Sequence, residues 1–412
     1  MVLNRVCPVC SCSDVEKLCQ LSFAKDPAEV LPTDYAVVSC RRCGFVYDEL
    51  KTTRETLSLH YRRSQRYVQT QVGGSGDLSD VDKIRYQETI DFCRGCIDSC
   101  SLVVDIGSGK GGLLSWFKRN GYGSLLGIEP SPGCVDYMQK VFKIPSVCAD
   151  IEHLPNGLAA DLVVVSNVFE HLWDPFNAAQ SVDGIVKKGG CVCIEVPDAS
   201  RYDQFFHAPY YSFDMEHINH FDMVSMENLW GRLGYCAVDR AEYVGMPVPG
   251  RHIPMMRLLL RKCRDDERGM VVSTTREGIM RFIGRSRDVE DSLCRSDLSL
   301  RHPVAYWGCG AYAKWFLERF AEYPVGHPDV IIDRSAEGGG HVGGIPLVDP
   351  ETFFANAPGD GVMLVTSVLY EDQICSALLA SSWRGSTFSA SSGLDLGLFR
   401  RGDKTQNDLR RF

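Results

Sequence analysis

Short apolar runs alternate with amphipathic segments through the middle of the chain, from residue 101 to about residue 245. The apolar runs have the length of buried strands, and each precedes a stretch whose apolar residues recur at helical spacing. The strand-like runs include "LVVDI", "LLGIE", "ADLVVVSN" and "CVCIEV", and the helix-like stretches include "GGLLSWFKRNG" and "CVDYMQKVF". This alternation predicts an α/β domain with a doubly wound parallel sheet.

The rest of the chain shows other patterns. Residues 1–70 place cysteines among short β-like runs such as "YAVVSC" and "GFVY". Residues 251–300 are charged and poor in glycine, which predicts a helical connector. From residue 301 the run "HPVAYWGCGAYAKWFLERF" begins a second strand, turn and helix. The predicted domains are a cysteine-rich module at 1–70, the main α/β domain at 71–250, the connector at 251–300 and a smaller Rossmann-like α/β domain at 301–412.

Composition excludes several classes of protein. A formal net charge of −9 over 412 residues argues against a general nucleic-acid binder, which presents a basic face. No apolar run reaches the roughly 18 residues that a membrane-spanning helix needs, and the first residues lack the apolar segment of a secretory signal. We therefore expect a cytoplasmic protein without nucleic-acid or membrane partners, in which the 18 cysteines are mostly buried thiols.

A glycine-rich turn joins the first strand of the main domain to its helix. "LVVDIGSGKGGLLSWFKRN" places Gly107, Gly109 and Gly112 in a G-x-G-x-x-G pattern, in which glycines let a ligand approach the backbone. By itself the pattern fits a nucleotide-type cofactor or simply a tight turn. Asp105 lies just before the loop, where a carboxylate can bind a ligand amino group or order the loop.

Two further acids end the next two strand-like runs. Glu129 lies 22 residues after Gly107, in a position to accept hydrogen bonds from two ribose hydroxyls. Asp150 follows "PSVCA", in a position suited to an adenine amino group. This succession resembles the class I S-adenosylmethionine (SAM) methyltransferases, and NAD binding is the alternative. The resemblance implies that SAM is bound by Asp105, Gly107, Gly109, Glu129, Asp150 and Asn167.

Polar side chains follow the fourth strand-like run, in "DLVVVSNVFEHLWDP". In SAM methyltransferases the corresponding loop lies beneath the methyl donor, so Asn167, Glu170 and His171 are candidates for the site. For Glu170 the alternative is a structural role at the start of the following helix. We predict that His171 faces the site.

A second histidine cluster occurs in "YYSFDMEHINHFDMVSM". Methyl transfer needs a base for the acceptor, and histidine titrates near neutral pH. We predict that His217 is this base, that Glu216 orients or polarises a neighbouring group, and that His220 has a hydrogen-bonding role in the fold. Metal binding is the weaker interpretation, because the H-x-x-x-H spacing of a helical metal site is missing.

Two C-x-x-C pairs lie near the N-terminus, Cys7 with Cys10 and Cys40 with Cys43. Four thiolates in a tetrahedron form a closed structural zinc site, and two such pairs are its usual source. Free thiols or a disulfide are the alternatives. We predict a structural Zn²⁺ that braces the segment covering the acceptor.

The order of these parts resembles the nucleotide-sugar C-methyltransferases, typified by the sugar 3-C-methyltransferases of antibiotic biosynthesis. That family has an N-terminal zinc module, a central SAM domain and a Rossmann-like C-terminal domain. The resemblance implies that His217 and His171 correspond to two histidines of its active site. It also places Tyr61 and Tyr67 where the family has a tyrosine that faces the acceptor.

Two positions depart from that family, since Asp214 and Met215 stand where it has a tyrosine and a histidine. The resemblance implies methylation of a nucleotide-linked sugar at carbon, in which His217 removes a proton next to a ketone and the enolate attacks the SAM methyl. Because of the departures, O- or N-methylation is an alternative. Further alternatives are an NAD-dependent sugar oxidoreductase and a non-catalytic zinc-ribbon interaction protein.

The smaller α/β domain contains a second glycine pattern. Gly308, Gly310 and Ala313 fit G-x-G-x-x-A, and Asp333 ends the next strand, 25 residues after Gly308. By resemblance this domain helps to hold the nucleotide part of an acceptor. The alternative is a structural lid that binds nothing.

Overall fold

The structure is a computed structural model of the chain, and it describes residues 4–25, 30–63, 78–248, 250–263, 269–295, 303–336, 339–356 and 361–392. The chain forms two compact units. The first unit comprises Met1–Leu21, Val30–Phe206 and Ser212–Ile283, and the second comprises Ser22–Glu29, His207–Tyr211 and Gly284–Phe412. No helix among the described residues is long and apolar enough to cross a membrane.

A seven-stranded sheet forms the centre of the first unit. Its strands are β4 (Leu102–Ile106), β5 (Ser124–Glu129), β6 (Ser146–Cys148), β7 (Ala160–Ser166), β8 (Val186–Pro197), β10 (Tyr235–Val248) and β11 (Arg251–Lys262). They lie in the order β10-β11-β8-β7-β4-β5-β6. The strands from β8 to β6 are parallel, as the alternating pattern predicted, whereas β11 pairs antiparallel with both β8 and β10.

Strand β11 corrects the prediction of connecting helices from residue 251. Residues 254–260 are all buried, so this strand has apolar neighbours on both faces and shows no alternation of polar and apolar positions. Without alternation, a buried strand is hard to distinguish from a buried helix. Among the described residues of the predicted connector, the helical part is Thr275–Arg295.

Helices cover both faces of this sheet. The helices of the first unit are α1 (Arg54–Arg63), α2 (Asp80–Cys93), α3 (Gly112–Arg119), α4 (Pro132–Tyr137), α5 (Pro175–Asp183) and α6 (Met223–Gly231), and α7 (Thr275–Arg295) spans the boundary between the units. Val103 belongs to one hydrophobic core with α2 and α3, and Val104 belongs to a second core with α5 and α6. Successive residues of β4 therefore face opposite cores, as expected of a strand.

The N-terminal residues form a smaller sheet of β1 (Val15–Ser22), β2 (Asp34–Cys40), β3 (Val46–Leu50) and β9 (Asn219–His220), in that order. β9 comes from a distant part of the sequence, and it pairs antiparallel with β3 through Val46 opposite His220. The cysteine-rich segment is thereby joined by backbone hydrogen bonds to the strand that follows His217.

The second unit contains a six-stranded sheet. Its strands are β12 (Val304–Trp307), β13 (Val330–Ile332), β14 (Gly340–Val342), β15 (Ile345–Val348), β16 (Val362–Val365) and β17 (Ser386–Ser389), in the order β14-β15-β13-β12-β16-β17, with helices α8 (Ala311–Arg319), α9 (Pro350–Asn356) and α10 (Glu371–Ala380). All pairs are parallel except β14 with β15. The strand, turn and helix predicted from residue 301 are present as β12 and α8.

One cysteine pair differs from the prediction of buried thiols. Cys236 in β10 and Cys263 just after β11 are joined by a disulfide, with Cα atoms 6.0 Å apart. The hairpin brings together two cysteines that are 27 residues apart in sequence. Spacing alone does not identify such a pair, because partner choice depends on the register of the two strands.

Candidate active site

The glycine loop after β4 has a backbone that only glycine accommodates at two positions. Gly107 has φ +71°, and a Cβ there would lie 2.4 Å from the Val168 side chain. Gly111 has φ +85°, and a Cβ there would lie 2.4 Å from the Met138 side chain. The sequence pattern pointed to Gly112 as its third glycine, whereas Gly111 is the residue that must be left-handed before α3 begins.

Glu129, at the end of β5, holds this loop in place. Its Oε2 accepts a hydrogen bond from the Gly109 amide at 3.0 Å, and its Oε1 accepts one from the Ser131 amide at 2.9 Å. Burial raises the pKa of Glu129, while the two amides act in the opposite direction. A carboxylate has about four lone-pair positions, so two remain for a ligand's hydroxyl groups.

A cavity lies where β4 and β7 end, and its volume is ≈ 370 Å³ when the space open to solvent at its entrance is included. Of the predicted cofactor-binding residues, Asp105, Gly107 and Asn167 line it directly. The other lining residues are Arg85, Tyr86, Ser108, Leu113, Ser166 and Glu195.

The floor of this cavity is a buried polar network that the sequence analysis missed. Glu195 accepts hydrogen bonds from Thr89 Oγ1 at 2.7 Å and from Ser166 Oγ at 2.8 Å, and it also pairs with Arg257. Arg85 donates to Ser166 Oγ at 3.3 Å. The sequence does contain an indication of this network, the glutamate inside the apolar run "CVCIEV". An isolated acid within a buried strand needs polar partners.

Asp105 is 3% exposed, and burial raises its pKa well above the usual range. The nearby carboxylates of Glu195 and Glu129 also raise this pKa, whereas Arg85 lowers it. A cation that enters the cavity would stabilise the ionised carboxylate. The electrostatics of the cavity therefore favour a ligand with a positively charged group beside Asp105.

Replacing Asp105 with asparagine is expected to stabilise the ligand-free protein and, if Asp105 binds the cofactor as predicted, to weaken SAM binding by about 10- to 100-fold through loss of a charge-assisted hydrogen bond. The folded-state pKa lies above that of an unfolded chain. Below the unfolded-state pKa the Asp105 carboxyl group is protonated in both states and does not lower the free energy of unfolding. As pH rises towards the folded-state pKa, the unfolded chain ionises more readily than the folded protein, and the free energy of unfolding falls. Melting temperatures at about pH 5 and about pH 8 should show a larger gain for Asp105→Asn at the higher pH. An equal effect from Asp136→Asn, an exposed position, would contradict this assignment.

Asp150 lies two residues after β6, outside the lining of the cavity. Its Oδ1 is 2.6 Å from Nδ1 of His153 and accepts the amide of Glu152 at 3.2 Å. β6 pairs with β5 so that Cys148 is opposite Glu129. The predicted contact of Asp150 with adenine thus stays a prediction.

The histidines predicted from two separate motifs come together. The ring centroids of His171 and His217 are 4.8 Å apart, and the Tyr61 ring lies 5.5 Å from that of His171. Nδ1 of His171 is 2.9 Å from the carbonyl oxygen of Glu216, which fixes the orientation of the imidazole. Tyr67, the other tyrosine suggested by the resemblance, lies outside the described residues.

Asp214, which stands at the tyrosine position of the resembling family, organises the turn before His217. Its Oδ1 accepts hydrogen bonds from the amides of Glu216 at 2.8 Å and His217 at 2.9 Å. Its Oδ2 lies 3.8 Å from Nδ1 of His217. Asp214 therefore fixes the backbone of the predicted base and places a negative charge beside its imidazole. Met215 is buried.

The two glutamates of the cluster differ in environment. Glu170 is 2% exposed, and burial raises its pKa to about 7. The Glu216 side chain lies 3.6 Å from Nε2 of His60, a residue of α1 that the sequence analysis did not single out. His60 is brought to the site by tertiary structure alone, because it is more than 100 residues from either histidine motif.

His220 has the structural environment predicted for it. It is fully buried in β9, and its Nε2 lies 3.2 Å from Oδ1 of Asp48 on β3. The rings of Phe213 and Tyr202 pack against it. The pair of His220 and Asp48 links the N-terminal sheet to the segment that carries His217.

Residues 83–239 match a protein family described as a methyltransferase domain. This part of the chain resembles a methyltransferase domain. The match spans the glycine loop, the cavity and both histidine motifs, and it confirms the prediction of a methyltransferase enzyme with the class I SAM-dependent fold. The chain matches no curated protein.

Solved structures resemble the methyltransferase at low sequence identity. The N-methyltransferase NodS from Bradyrhizobium japonicum, in complex with S-adenosyl-L-homocysteine, is 14% identical, covers 50% of this chain and 98% of its own, and has a TM-score of 0.40. A SAM-dependent methyltransferase from Thermotoga maritima, described as a possible histamine N-methyltransferase, is 16% identical, covers 44% of this chain and 91% of its own, and has a TM-score of 0.35.

The four paired cysteines of the methyltransferase converge as their spacing predicted. Cys7 Sγ lies 3.6 Å from Cys43 Sγ, and Cys10 Sγ lies 3.5 Å from Cys40 Sγ. All four sulfurs are within 4.8 Å of one another, and all four residues are buried. Thiolates bound about 2.3 Å from a tetrahedral zinc ion are about 3.8 Å apart, so the observed spacing fits that geometry.

The second unit of the methyltransferase has its own glycine loop. Gly308 has φ +121°, and a Cβ there would lie 2.7 Å from the Ser367 amide nitrogen. The Cys309 amide donates to Oδ2 of Asp333 at 3.0 Å. The first unit has the same arrangement, in which Glu129, at the end of the next strand, accepts a hydrogen bond from the Gly109 amide of the glycine loop.

Proposed function

We propose that the enzyme transfers the methyl group of SAM to a carbon atom of a nucleotide-linked sugar, with His217 as the base. The observation that carries the proposal is that one loop joins the two parts of the site. Asn167 lines the cofactor cavity, and His171, four residues later, contacts His217. A proton acceptor beside a methyl donor is the arrangement that methylation of a weakly acidic position requires.

In this mechanism His217 takes the proton from the carbon next to the sugar's ketone. The electron pair of that C–H bond becomes the enolate, whose carbon attacks the SAM methyl in line with the departing sulfur. The new C–C bond forms as the S–CH₃ bond breaks, and S-adenosyl-L-homocysteine leaves with the sulfur's electron pair. Asp214, held in the turn before the base, would stabilise the protonated imidazole.

The same proposal assigns the ends of SAM to named groups. The cofactor's α-ammonium group pairs with Asp105, and its carboxylate pairs with Arg85, the cation that lines the same cavity. Glu129 accepts from the ribose hydroxyls while it keeps the glycine loop in position. Asp150 accepts from the adenine amino group.

We further assign a structural Zn²⁺ to Cys7, Cys10, Cys40 and Cys43. Their burial and mutual distances support a closed four-thiolate site, which leaves no position for chemistry. The pairing of β3 with β9 supports a role in holding the acceptor side of the site, because β9 begins two residues after His217.

The second unit is proposed to hold the nucleotide part of the acceptor, with Asp333 accepting from its ribose. Substitution Asp333→Asn should then raise KM for the nucleotide sugar by about tenfold, because a neutral amide replaces a charged acceptor, while Kd for SAM stays unchanged. Steady-state kinetics and calorimetry measure the two quantities. A matching rise in KM for Glu351→Gln, an exposed acid of the same unit, would argue against a specific role.

The deciding experiment is incubation with candidate nucleotide sugars and isotopically labelled SAM, followed by NMR location of the methyl group. A methyl on carbon, with exchange of the neighbouring C–H proton in deuterated water, is the expected result. A methyl ether or methylamine without exchange would replace the carbon route by O- or N-methylation. Absence of SAM binding at millimolar concentration, with tight NADH binding instead, would overturn the whole proposal.

A further inference from the structure

Three side chains from two loops of the first unit converge outside the cysteine cluster. One nitrogen or oxygen atom from each of Glu170, His171 and His217 lies within 4.8 Å of the other two. Ligands about 2.1 Å from a tetrahedral zinc-type ion are about 3.4 Å apart. Closing the set around such an ion therefore requires movements of up to about 1.4 Å. The His217 side chain is 30% exposed and has room to move.

His171 is held in the orientation that metal-binding histidines adopt. Its Nδ1 is 2.9 Å from the Glu216 carbonyl oxygen, and only a protonated Nδ1 can donate to that oxygen. In the neutral imidazole the Nε2 lone pair is then free to coordinate. A backbone carbonyl that fixes the tautomer in this way is the usual second partner of a metal ligand. Nε2 lies 3.8 Å from Oε1 of Glu170.

Glu170 supplies an independent reason to expect a cation. Its side chain is 3% exposed, and within the described residues its Oε2 has no hydrogen-bond partner. A buried carboxylate with an unsatisfied oxygen is costly unless a positive charge is close to it. His171, the nearest cationic candidate, sits beyond hydrogen-bond distance.

We propose that Glu170, His171 and His217 form a second metal site of the enzyme, which takes a divalent transition-metal ion such as Zn²⁺ or Co²⁺. Two imidazoles and one carboxylate suit these ions, whereas four thiolates suit the structural site. Three protein ligands leave at least one position open on the exposed side of His217. Sequence spacing concealed this set, because Glu170 and His171 are adjacent and His217 is 46 residues away.

Metal binding and proton abstraction compete for the same group. The His217 lone pair that would coordinate the ion is the same lone pair that would take the proton from the sugar substrate. A bound ion therefore blocks methyl transfer. This consequence rests on the proposed function, whereas the site itself does not. Excess zinc should therefore inhibit the enzyme without displacing SAM.

The test is titration of the full-length enzyme with Co²⁺ after one equivalent of Zn²⁺ has been supplied for the cysteines. We expect a further equivalent of Co²⁺ with visible d–d absorption and without the near-ultraviolet charge-transfer bands of thiolate ligation. Glu170→Gln and His217→Gln should each weaken this binding by at least about tenfold. His327→Gln, which changes an exposed histidine of the second unit, should leave it unchanged.

Circular dichroism and SAM calorimetry establish that the variants are folded. Absence of a further equivalent in the wild type would overturn the metal site, as would equal Co²⁺ affinity in Glu170→Gln, His217→Gln and His327→Gln. Zinc inhibition is measured separately on the wild type. Binding of the ion without inhibition would support the site and overturn His217 as the base, so the two proposals fail independently.

Discussion

Substituting His217 with asparagine is expected to lower kcat for methyl transfer by about 10²–10⁴-fold, the usual contribution of a general base. Asparagine keeps a polar group of similar reach but cannot accept a proton. The amide of residue 217 still donates to Asp214, so the turn should persist. Because the lining of the cofactor cavity does not include residue 217, Kd for SAM should stay at the wild-type value.

Two measurements separate loss of the base from a general disturbance. Exchange of the acceptor's C–H proton in deuterated water should vanish together with turnover, since both need the same proton transfer. His252→Asn, which alters an exposed histidine on β11, should retain wild-type exchange and kcat. A His217→Asn enzyme that still exchanges the proton at the wild-type rate would show that another group is the base.

Removal of the proposed zinc, by chelation or by Cys40→Ser, should lower kcat/KM for the acceptor by about 100-fold through misplacement of His217. The path of this effect is short. Cys40 ends β2 and Cys43 lies in the turn before β3, β3 pairs with β9, and β9 follows His217. The helix that begins at the glycine loop packs in the other core, with Leu114 and Phe117, so SAM binding should suffer much less.

Metal analysis, SAM calorimetry and acceptor kinetics on the same samples test this separation. Cys100→Ser is the matched control, because Cys100 is an exposed thiol outside the cysteine cluster. Both pairs of cysteines also belong to the core that contains Val104 and Trp230. If Kd for SAM rises as much as acceptor turnover falls, the cysteine module supports the whole fold and does not specifically hold the acceptor side.

Local pattern was sufficient to predict the parallel part of the central sheet and its cofactor loop. Strands β4, β5 and β7 are largely buried apolar runs with a polar residue at or next to their C-terminal end, and each precedes a turn or helix signal. Parallel strands bring their C-terminal ends to one edge of the sheet, which is why Asp105 and Asn167 meet in one cavity. The loop's third left-handed glycine at a helix start, Gly111, was missed because the G-x-G-x-x-G spacing places its last glycine at Gly112.

The sequence by itself determined the class of enzyme, since the acids and glycines of the cofactor site lie at fixed positions along consecutive strands. It also determined the four-cysteine set, because short-range spacing confines each pair to one turn. Tertiary structure alone decided that β11 is a strand, that Cys236 pairs with Cys263 and that His60 lies beside Glu216. It also decided that Glu170, His171 and His217 share one site. These contacts join residues that are distant in sequence, and their formation depends on how whole strands and loops pack, which no local pattern records.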